Sequence, residues 1–272
     1  MLQKILFFLF LTFASTNAQD LSKENAVQNT VSKNVSTFSI EAPQLKTSKK
    51  IWIYLPENYA NSDKKYNVMY MHDAQNLFDS KTAYAGEWNV DEKLDSLKAQ
   101  VIVVGIEHGN DKRLEELTPY KNEKYGGGNA DNYVDFIVKT LKPFIDKKYR
   151  TKTKAKNTTI MGSSLGGLVS YYAVLKHPET FGKAGVFSPS FWFSKDIYTF
   201  TEQQKKIKTK IYFLCGDKES DDMVNDMTKM EHLLDTKRCY CLHLNKSKIV
   251  KGGQHNEKLW RDGFVNAFLW LN

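Results

Sequence analysis

Cysteine is scarce in this chain. Only Cys215, Cys239 and Cys241 occur among its 272 residues. Three is an odd number and too few for a disulfide framework, although an oxidising compartment would permit one bridge. We therefore expect neither a disulfide-stapled fold nor thiol chemistry, and the sequence leaves open whether two of the three cysteines pair.

Long hydrophobic runs are absent beyond residue 18, so no later segment is expected to cross a bilayer, which takes about 20 apolar residues. At the N-terminus, Lys4 precedes the apolar residues 5–13 and a small-residue stretch that ends at Ala18. These parts predict a signal peptide over residues 1–18 and a secreted or periplasmic protein without stable membrane insertion. Residues 19–35 are polar and predict a flexible arm, which leaves residues 36–272 as one folded domain.

Motifs for metals, phosphates and nucleic acids are also missing. The six histidines are not spaced as zinc ligands, and no Gly-Lys-Ser/Thr follows the three glycines at 126–128. The net charge of +8 comes from scattered lysines without a recognised nucleic-acid-binding signature. We expect no metal, no cofactor and no nucleic-acid partner.

The chain does contain alternating strand-like and helix-like segments. Residues 37–41 and 50–55 alternate in polarity and predict an antiparallel pair at one sheet edge. Continuous apolar runs, typical of strands covered on both faces, occupy residues 67–71, 101–106, 158–162 and 210–216. Helices are predicted at residues 131–145, 165–176, 224–234 and 257–270. This order predicts an α/β fold with a mostly parallel central sheet and helices on both faces.

Residues 162–166 read Gly-Ser-Ser-Leu-Gly, between a predicted strand and a predicted helix. The pattern is typical of a nucleophile elbow, in which the central serine occupies a strained turn and the glycines let strand and helix approach closely. Ser164 is therefore the candidate nucleophile. A serine hydroxyl needs a base to activate it and an acid to orient that base.

The base and acid are expected further along the chain, in the order serine, acid, histidine. His255 lies in a loop after the last predicted strand and before the final helix, which makes it the candidate base. His243 lies within an alternating segment, residues 240–244, where a structural role is expected. The carboxylates that follow the strand at 210–216 are Asp217, Glu219, Asp221 and Asp222. Sequence does not rank them decisively, and position favours Glu219.

An oxyanion hole needs two backbone N–H groups. One is expected from Leu165, directly after the nucleophile, and the other from Ala74 or Gln75, after an earlier strand; the choice between these two stays open. His72, Tyr120 and Trp192 are candidate substrate-binding residues around the mouth of the site.

Together these motifs resemble the Putative esterase family of α/β hydrolases, which includes feruloyl and acetylxylan esterases, enterochelin esterases and mycolyltransferases. The resemblance runs from about residue 37 to residue 272. Its landmarks are residues 53–56, 72–79, 162–167, 177–181 and 188–192. It implies the α/β-hydrolase fold, with Ser164 as nucleophile, His255 as base and Glu219 as acid. The chain departs from the family in having Ala74 where relatives often have glycine, and glutamate where feruloyl esterases often have aspartate.

With the predicted signal peptide, the resemblance implies a secreted serine esterase that forms an acyl-enzyme on Ser164, without selecting the substrate. Export and the aromatic residues around the site favour esters on carbohydrate, of acetyl or feruloyl type. A siderophore trilactone esterase is the alternative, because its iron-loaded substrate is anionic and would suit the positive charge. A catalytically inactive, carbohydrate-binding homologue is a second alternative. The sequence predicts neither the oligomeric state nor a lid.

Overall fold

A computed structural model describes residues 29–238 and 244–272. Its strands are β1 (Val35–Ala42), β2 (Thr47–Tyr54), β3 (Asn67–His72), β4 (Val101–Ile106), β5 (Thr158–Ser163), β6 (Lys183–Phe187), β7 (Lys210–Gly216) and β8 (Asn245–Val250). Its α-helices are α1 (Val90–Ser96), α2 (Arg113–Leu117), α3 (Ala130–Phe136), α4 (Lys142–Lys148), α5 (Leu165–Lys176), α6 (Asp196–Glu202), α7 (Met223–Thr236) and α8 (Glu257–Leu271). A π-helical turn, Ile137–Leu141, joins α3 to α4, so these two helices together account for the single helix predicted there.

All the strands form one sheet in the order β1-β2-β4-β3-β5-β6-β7-β8. The pairs β1–β2 and β2–β4 are antiparallel, and the others are parallel. The predicted antiparallel edge and parallel centre are therefore confirmed. The architecture is that of the α/β-hydrolase fold.

Two hydrophobic cores lie on opposite faces of this sheet. Because side chains alternate along a strand, Val68 and Tyr70 of β3 enter one core, while Met69 and Met71 enter the other. The first core is closed by α2 to α7, and the second by α1 and α8. Burial on both faces explains why the central strands are continuous apolar runs.

Strand β6 and the short helices α1, α2 and α6 are not predicted from the sequence. In β6 the apolar run is brief and contains Gly185. A Cβ at Gly185 would lie 2.6 Å from Cγ of Met161 on β5, so the Met161 side chain occupies the space that a side chain at this position would need. The helices α1, α2 and α6 have only five to seven residues, too few for a clear helical period.

Ordered contacts begin earlier than the predicted domain boundary. Strand β1 starts at Val35, and Thr30, Ser32 and Asn34 already hydrogen bond to side chains of the folded domain. The predicted signal peptide lies outside the described residues, as do residues 239–243, which hold most of the strand predicted at 240–244. Among the described residues, no helix combines the length and apolar character needed to cross a membrane.

Parallel strands bring the loops that follow them to one edge of the sheet. The segments that leave β3, β5, β6, β7 and β8 at this edge carry, respectively, Ala74, Ser164, Ser188, Glu219 and His255. The topology thus gathers residues that are far apart in sequence.

Candidate active site

Ser164 is held in a strained backbone conformation between β5 and α5. Its φ is 58° and its ψ −122°, a region that non-glycine residues rarely occupy. The turn is required because the chain must reverse direction within one residue, from strand to helix. A serine in this position is presented at the carboxyl edge of the sheet, as the elbow motif predicts.

Glycines make the sharp turn sterically possible. A Cβ at Gly162 would lie 2.8 Å from the carbonyl carbon of Gly166, and a Cβ at Gly167 would lie 2.6 Å from the carbonyl oxygen of Phe187. Both distances are shorter than any side chain tolerates, so α5 can pack this closely on β5 and β6 only with glycine at these positions.

The imidazole of His255 is paired with the carboxyl group of Glu219. Nδ1 of His255 lies 2.7 Å from Oε2 of Glu219. The Glu219 side chain is 1% exposed and the His255 side chain 36% exposed. The pair therefore joins an interior acid to an imidazole that reaches the surface.

A hydrogen-bond network fixes the Glu219 carboxylate. Its Oε1 accepts from the Ser188 hydroxyl at 2.7 Å and from the backbone N–H of Gly216 at 2.5 Å. The Ser188 oxygen in turn accepts from Nε1 of Trp260 at 2.8 Å. The Trp260 ring also packs edge-on against the His255 ring, with centroids 5.0 Å apart. Trp260 thus contacts the imidazole directly and supports the acid through Ser188.

The other three carboxylates that the sequence left open have different positions. Oδ1 of Asp217 accepts from the backbone N–H of Gly252 at 2.7 Å and so fixes the loop that leads to His255. Asp221 and Asp222 are exposed. Of the four candidates, Glu219 is the one that is bonded to His255.

The loop after β6 links Ser164 to this pair. Oγ of Ser164 lies 3.3 Å from Oγ of Ser190, and the Ser190 N–H donates to the Ser164 carbonyl. Ser188, which bonds to Glu219, is two residues away and therefore within about 7 Å of Ser190 along the chain. Within the described residues Ser164 makes no hydrogen bond to His255; such bonds commonly tighten only when substrate binds.

Backbone N–H groups are available beside Ser164. Leu165 is the first residue of α5, and Ala74 is the first residue of a 3₁₀ turn, Ala74–Asn76. The first N–H groups of a helix have no acceptor within that helix. The loop after β3 adjoins the elbow, since a Cβ at Gly166 would lie 3.3 Å from Oδ2 of Asp73.

Asp73 anchors this loop through an ion pair with Arg113. Nε and Nη2 of Arg113 donate to the two carboxylate oxygens at 2.7 and 2.9 Å. Burial favours a raised pKa for Asp73, but the charge and hydrogen bonds of Arg113 hold this pKa below its ordinary value. Asp73 therefore stays ionised and keeps the backbone of Ala74 and Gln75 in place.

His72, which we expect at the mouth of the site, lies in the interior instead. It is 2% exposed, and its Nδ1 shares a 2.8 Å hydrogen bond with the hydroxyl of Tyr133. A Cβ at Gly162 would lie 2.9 Å from its Cδ2. The ring thus supports the elbow from beneath, because β3 adjoins β5 in the sheet.

This burial predicts a pH dependence of stability. Burial is the main cause that lowers the pKa of His72 to about 4, whereas an unfolded histidine titrates near pH 6.5. The unfolded chain therefore gains a proton first on acidification, so the stabilisation is complete above about pH 6.5 and is lost as pH falls towards about 4. The loss amounts to about 3 kcal/mol.

The measurement is the free energy of unfolding between pH 4 and 7, by urea denaturation, for the wild type and for His72→Gln. Glutamine retains hydrogen-bonding groups but does not titrate, so the variant should show a smaller slope over this range. Equal slopes for both proteins would contradict the prediction.

Trp192 and Tyr120 lie in different environments. Trp192 is 55% exposed, and its ring meets that of Tyr125 edge-on at 5.9 Å. Tyr120 is partly buried against Tyr172, with ring centroids 6.1 Å apart. Trp192 therefore remains available at the surface, two residues after Ser190, whereas Tyr120 contributes mainly to packing.

Several positioning residues are not identified from the sequence. Ser188 and Ser190 fall in a landmark segment of the family, but nothing in their spacing reveals that one bonds to the acid and the other to the nucleophile. Arg113 and Tyr133 come from helices of the first core, and no local motif marks them. All four act through contacts between distant segments.

Comparison with known proteins identifies the family of the chain. The profile of the family described as Putative esterase matches residues 42–271. The chain is 26% identical over 239 residues to the uncharacterized protein YbbA of Bacillus subtilis. The aligned region covers 82% of this chain and 92% of YbbA. It is also 26% identical over 183 residues to an endo-1,4-beta-xylanase/feruloyl esterase of Xylanibacter ruminicola, covering 64% of this chain but 23% of that protein.

A solved structure shares the fold. The enterobactin esterase FES of Shigella flexneri, determined in the presence of enterobactin, superposes with a TM-score of 0.69 over 91% of this chain and 61% of that chain, at 17% identity. At this identity the likeness concerns the fold alone. Since the family profile spans nearly the whole described domain, the chain belongs to the Putative esterase family of α/β hydrolases.

Proposed function

We propose that this protein is a secreted serine esterase that hydrolyses carboxylic esters through an acyl-enzyme on Ser164. The observation that carries the proposal is the 2.7 Å pairing of His255 with the interior carboxyl group of Glu219, at the sheet edge where Ser164 occupies its strained turn. The N-terminal apolar segment that ends at Ala18 supports secretion.

In the proposed reaction, Nδ1 of His255 carries the proton shared with Glu219, which leaves Nε2 free to accept the proton of Ser164. Oγ of Ser164 attacks the ester carbonyl carbon, and the resulting oxyanion accepts hydrogen bonds from the N–H of Leu165 and of Ala74 or Gln75. His255 then protonates the departing alcohol. A water molecule, deprotonated by His255, releases the acid and restores Ser164.

The test of this mechanism is covalent labelling. The purified protein is incubated with a fluorophosphonate, and the labelled peptide is identified by mass spectrometry, in parallel with hydrolysis of p-nitrophenyl acetate. We expect one label, on Ser164, and loss of hydrolysis in proportion to labelling. Absence of both would favour a homologue that binds carbohydrate without hydrolysing it, and a label on another serine would refute the role of Ser164.

For the substrate we propose esters on carbohydrate, of the acetyl or feruloyl type. Two observations support this class. The relative from Xylanibacter ruminicola is named an endo-1,4-beta-xylanase/feruloyl esterase, and Trp192 offers an exposed ring close to the nucleophile. The loop that carries Tyr125 is fixed by paired backbone hydrogen bonds between Asn122 and Gly126 and by a 2.7 Å bond from Asn122 Nδ2 to the Phe193 carbonyl. The aromatic pair is therefore held in place for stacking.

Removing this ring should affect aromatic esters selectively. Trp192→Ala is expected to raise KM for methyl ferulate by about three- to tenfold, because an aromatic contact contributes about 0.5–1.5 kcal/mol. The KM for p-nitrophenyl acetate, measured on the same variant, should stay within about twofold. Equal changes for the two substrates would contradict a stacking role for Trp192.

A siderophore trilactone esterase is the second candidate. It is favoured by the net charge of +8, which would attract an anionic iron-loaded substrate. Release of acetate or hydroxycinnamate from decorated xylan, compared with turnover of a ferric enterobactin-type trilactone, separates the two. Turnover of the trilactone alone would overturn the carbohydrate assignment.

A further inference from the structure

Three carboxyl groups meet at the start of α1, outside the candidate active site. Each of Glu87, Asp91 and Glu92 places an oxygen within 4.8 Å of an oxygen of the other two. Glu87 is 4% exposed and Asp91 is fully buried. Such a concentration of interior acids needs a compensating partner, because burying an unpaired carboxylate is strongly unfavourable.

Each of these carboxyl groups uses one oxygen in a hydrogen bond and leaves the other without one. The bonds run from Thr30 Oγ1 to Glu87 Oε2 at 2.7 Å, from Ser32 N to Asp91 Oδ2 at 2.8 Å, and from Asn89 Nδ2 to Glu92 Oε1 at 3.2 Å. Within the described chain, the second oxygens are buried without a hydrogen-bond partner: Glu87 Oε1, Asp91 Oδ1 and Glu92 Oε2. Asp91 and Glu92 also contact each other through their side chains, so within the described residues no donor from outside the cluster reaches these three oxygens.

Salt bridges to the three carboxylates are also absent from the described residues. Across residues 29–238 and 244–272, none of the three carboxylates forms a salt bridge. The adjacent Arg261 directs Nη1 to the backbone carbonyl of Glu87 at 3.0 Å. A bound cation would supply both the charge and the partner for the three oxygens.

We propose that Glu87, Asp91 and Glu92 form a binding site for one Ca²⁺ ion. Calcium binds carboxylate oxygens at about 2.3–2.6 Å, so two oxygens on one ion are at most about 5 Å apart, and the three carboxylate oxygens lie within 4.8 Å of one another. The ligands are all carboxylate oxygens, whereas zinc and copper prefer nitrogen or sulfur ligands. Magnesium requires shorter bonds of about 2.1 Å and near-octahedral geometry, a stricter demand than the flexible coordination of calcium.

The site would fasten the N-terminal segment to the domain. Thr30 and Ser32 bond directly to two of the three carboxylates, and the Thr30 hydroxyl also accepts from the Ser80 N–H at 2.9 Å. Calcium would fix the positions of Glu87 and Asp91 and thereby hold these donors. Stability, and not only local order, should therefore depend on calcium.

The test begins with the full chain after removal of metal by EDTA and dialysis. Isothermal titration with CaCl₂ is expected to give one site per chain. At a Ca²⁺ concentration about 100 times the Kd, Tm should rise by about 5 to 10 °C. MgCl₂ and ZnCl₂ are titrated in parallel. No binding heat together with equal Tm values in EDTA and in Ca²⁺ would overturn the proposal, as would tighter binding of Mg²⁺ or Zn²⁺.

Matched variants locate the ion. Asp91→Asn combined with Glu92→Gln preserves side-chain size but removes two charges, and is expected to abolish both the heat and the Tm rise. The control is Asp95→Asn on the same helix, whose carboxylate accepts from Asn34 and Tyr54 instead; its Kd should stay within about threefold of wild type.

Calcium bound by the double variant with unchanged Kd would refute the site. The wild-type titration decides the question even if that variant fails to fold. None of these readouts uses ester hydrolysis, so their outcome is independent of the proposed enzymatic function.

Discussion

Replacing Ser164 by alanine is expected to lower kcat/KM for p-nitrophenyl acetate by about 10⁴-fold or more, since the attacking oxygen is lost. His255→Ala should cause a loss of similar size, because Ser164 then has no base to take its proton. Residual hydrolysis would come from substrate binding and from the N–H groups beside the elbow.

The two losses should not add. Once Ser164 is removed, His255 has no nucleophile to activate, so the double variant is expected to be about as active as either single variant. The matched control is Ser163→Ala, a neighbouring serine at the end of β5, whose kcat/KM should stay within about threefold of wild type. A loss in this control equal to that of Ser164→Ala would contradict the assignment of the nucleophile.

Replacing Glu219 by glutamine is expected to lower kcat by about 10² to 10⁴-fold. Glutamine matches the size of glutamate, but it is neutral and cannot stabilise the imidazolium that forms when His255 takes the serine proton. One carboxylate oxygen accepts from Ser188 and Gly216 and the other faces His255. The NH₂ group of glutamine would therefore face either the donors of Ser188 and Gly216 or the N–H of His255. The loss should appear in kcat more than in KM.

Asp221→Asn provides the control for this experiment. Asp221 lies two residues further along the same loop and is exposed, so the variant removes an equal charge without touching His255. Its kcat is expected to remain within about twofold of wild type. If Asp221→Asn lost more activity than Glu219→Gln, the pairing of Glu219 with His255 would not be the catalytic one.

The elbow is the part of the candidate site that the sequence predicts best. Gly162, Ser164 and Gly166 lie within five residues, and the steric demands of the turn dictate both the glycines and their spacing. The flanking strand β5 and helix α5 are equally local, since each has its own hydrophobic pattern. Features that depend on local geometry can therefore be predicted from the sequence.

The acid proposed to pair with His255 is harder to predict, because its identity depends on contacts between distant segments. Asp217, Glu219, Asp221 and Asp222 all follow β7, and each offers a carboxylate within a few residues. Only the arrangement of β6, β7 and α8 gives Glu219 the Ser188 hydroxyl as a donor, with Trp260 behind it, and brings His255 to its other oxygen. His72 likewise ends a strand at the correct edge, but the packing of Tyr133 turns its ring into the interior.

By itself, the sequence determined the α/β class, the antiparallel edge, the order of the central strands along the chain and the position of the strained serine, because these follow from local periodicity and sterics. Only the tertiary structure decided which carboxylate meets His255, that β6 carries the loop joining Ser188 to Ser190, and that three acids gather at α1. These features arise where segments far apart in the sequence share a hydrogen bond, as Ser188 and Trp260 do across 72 residues. Long-range contacts of this kind have no periodicity, so they become visible only when the chain is folded.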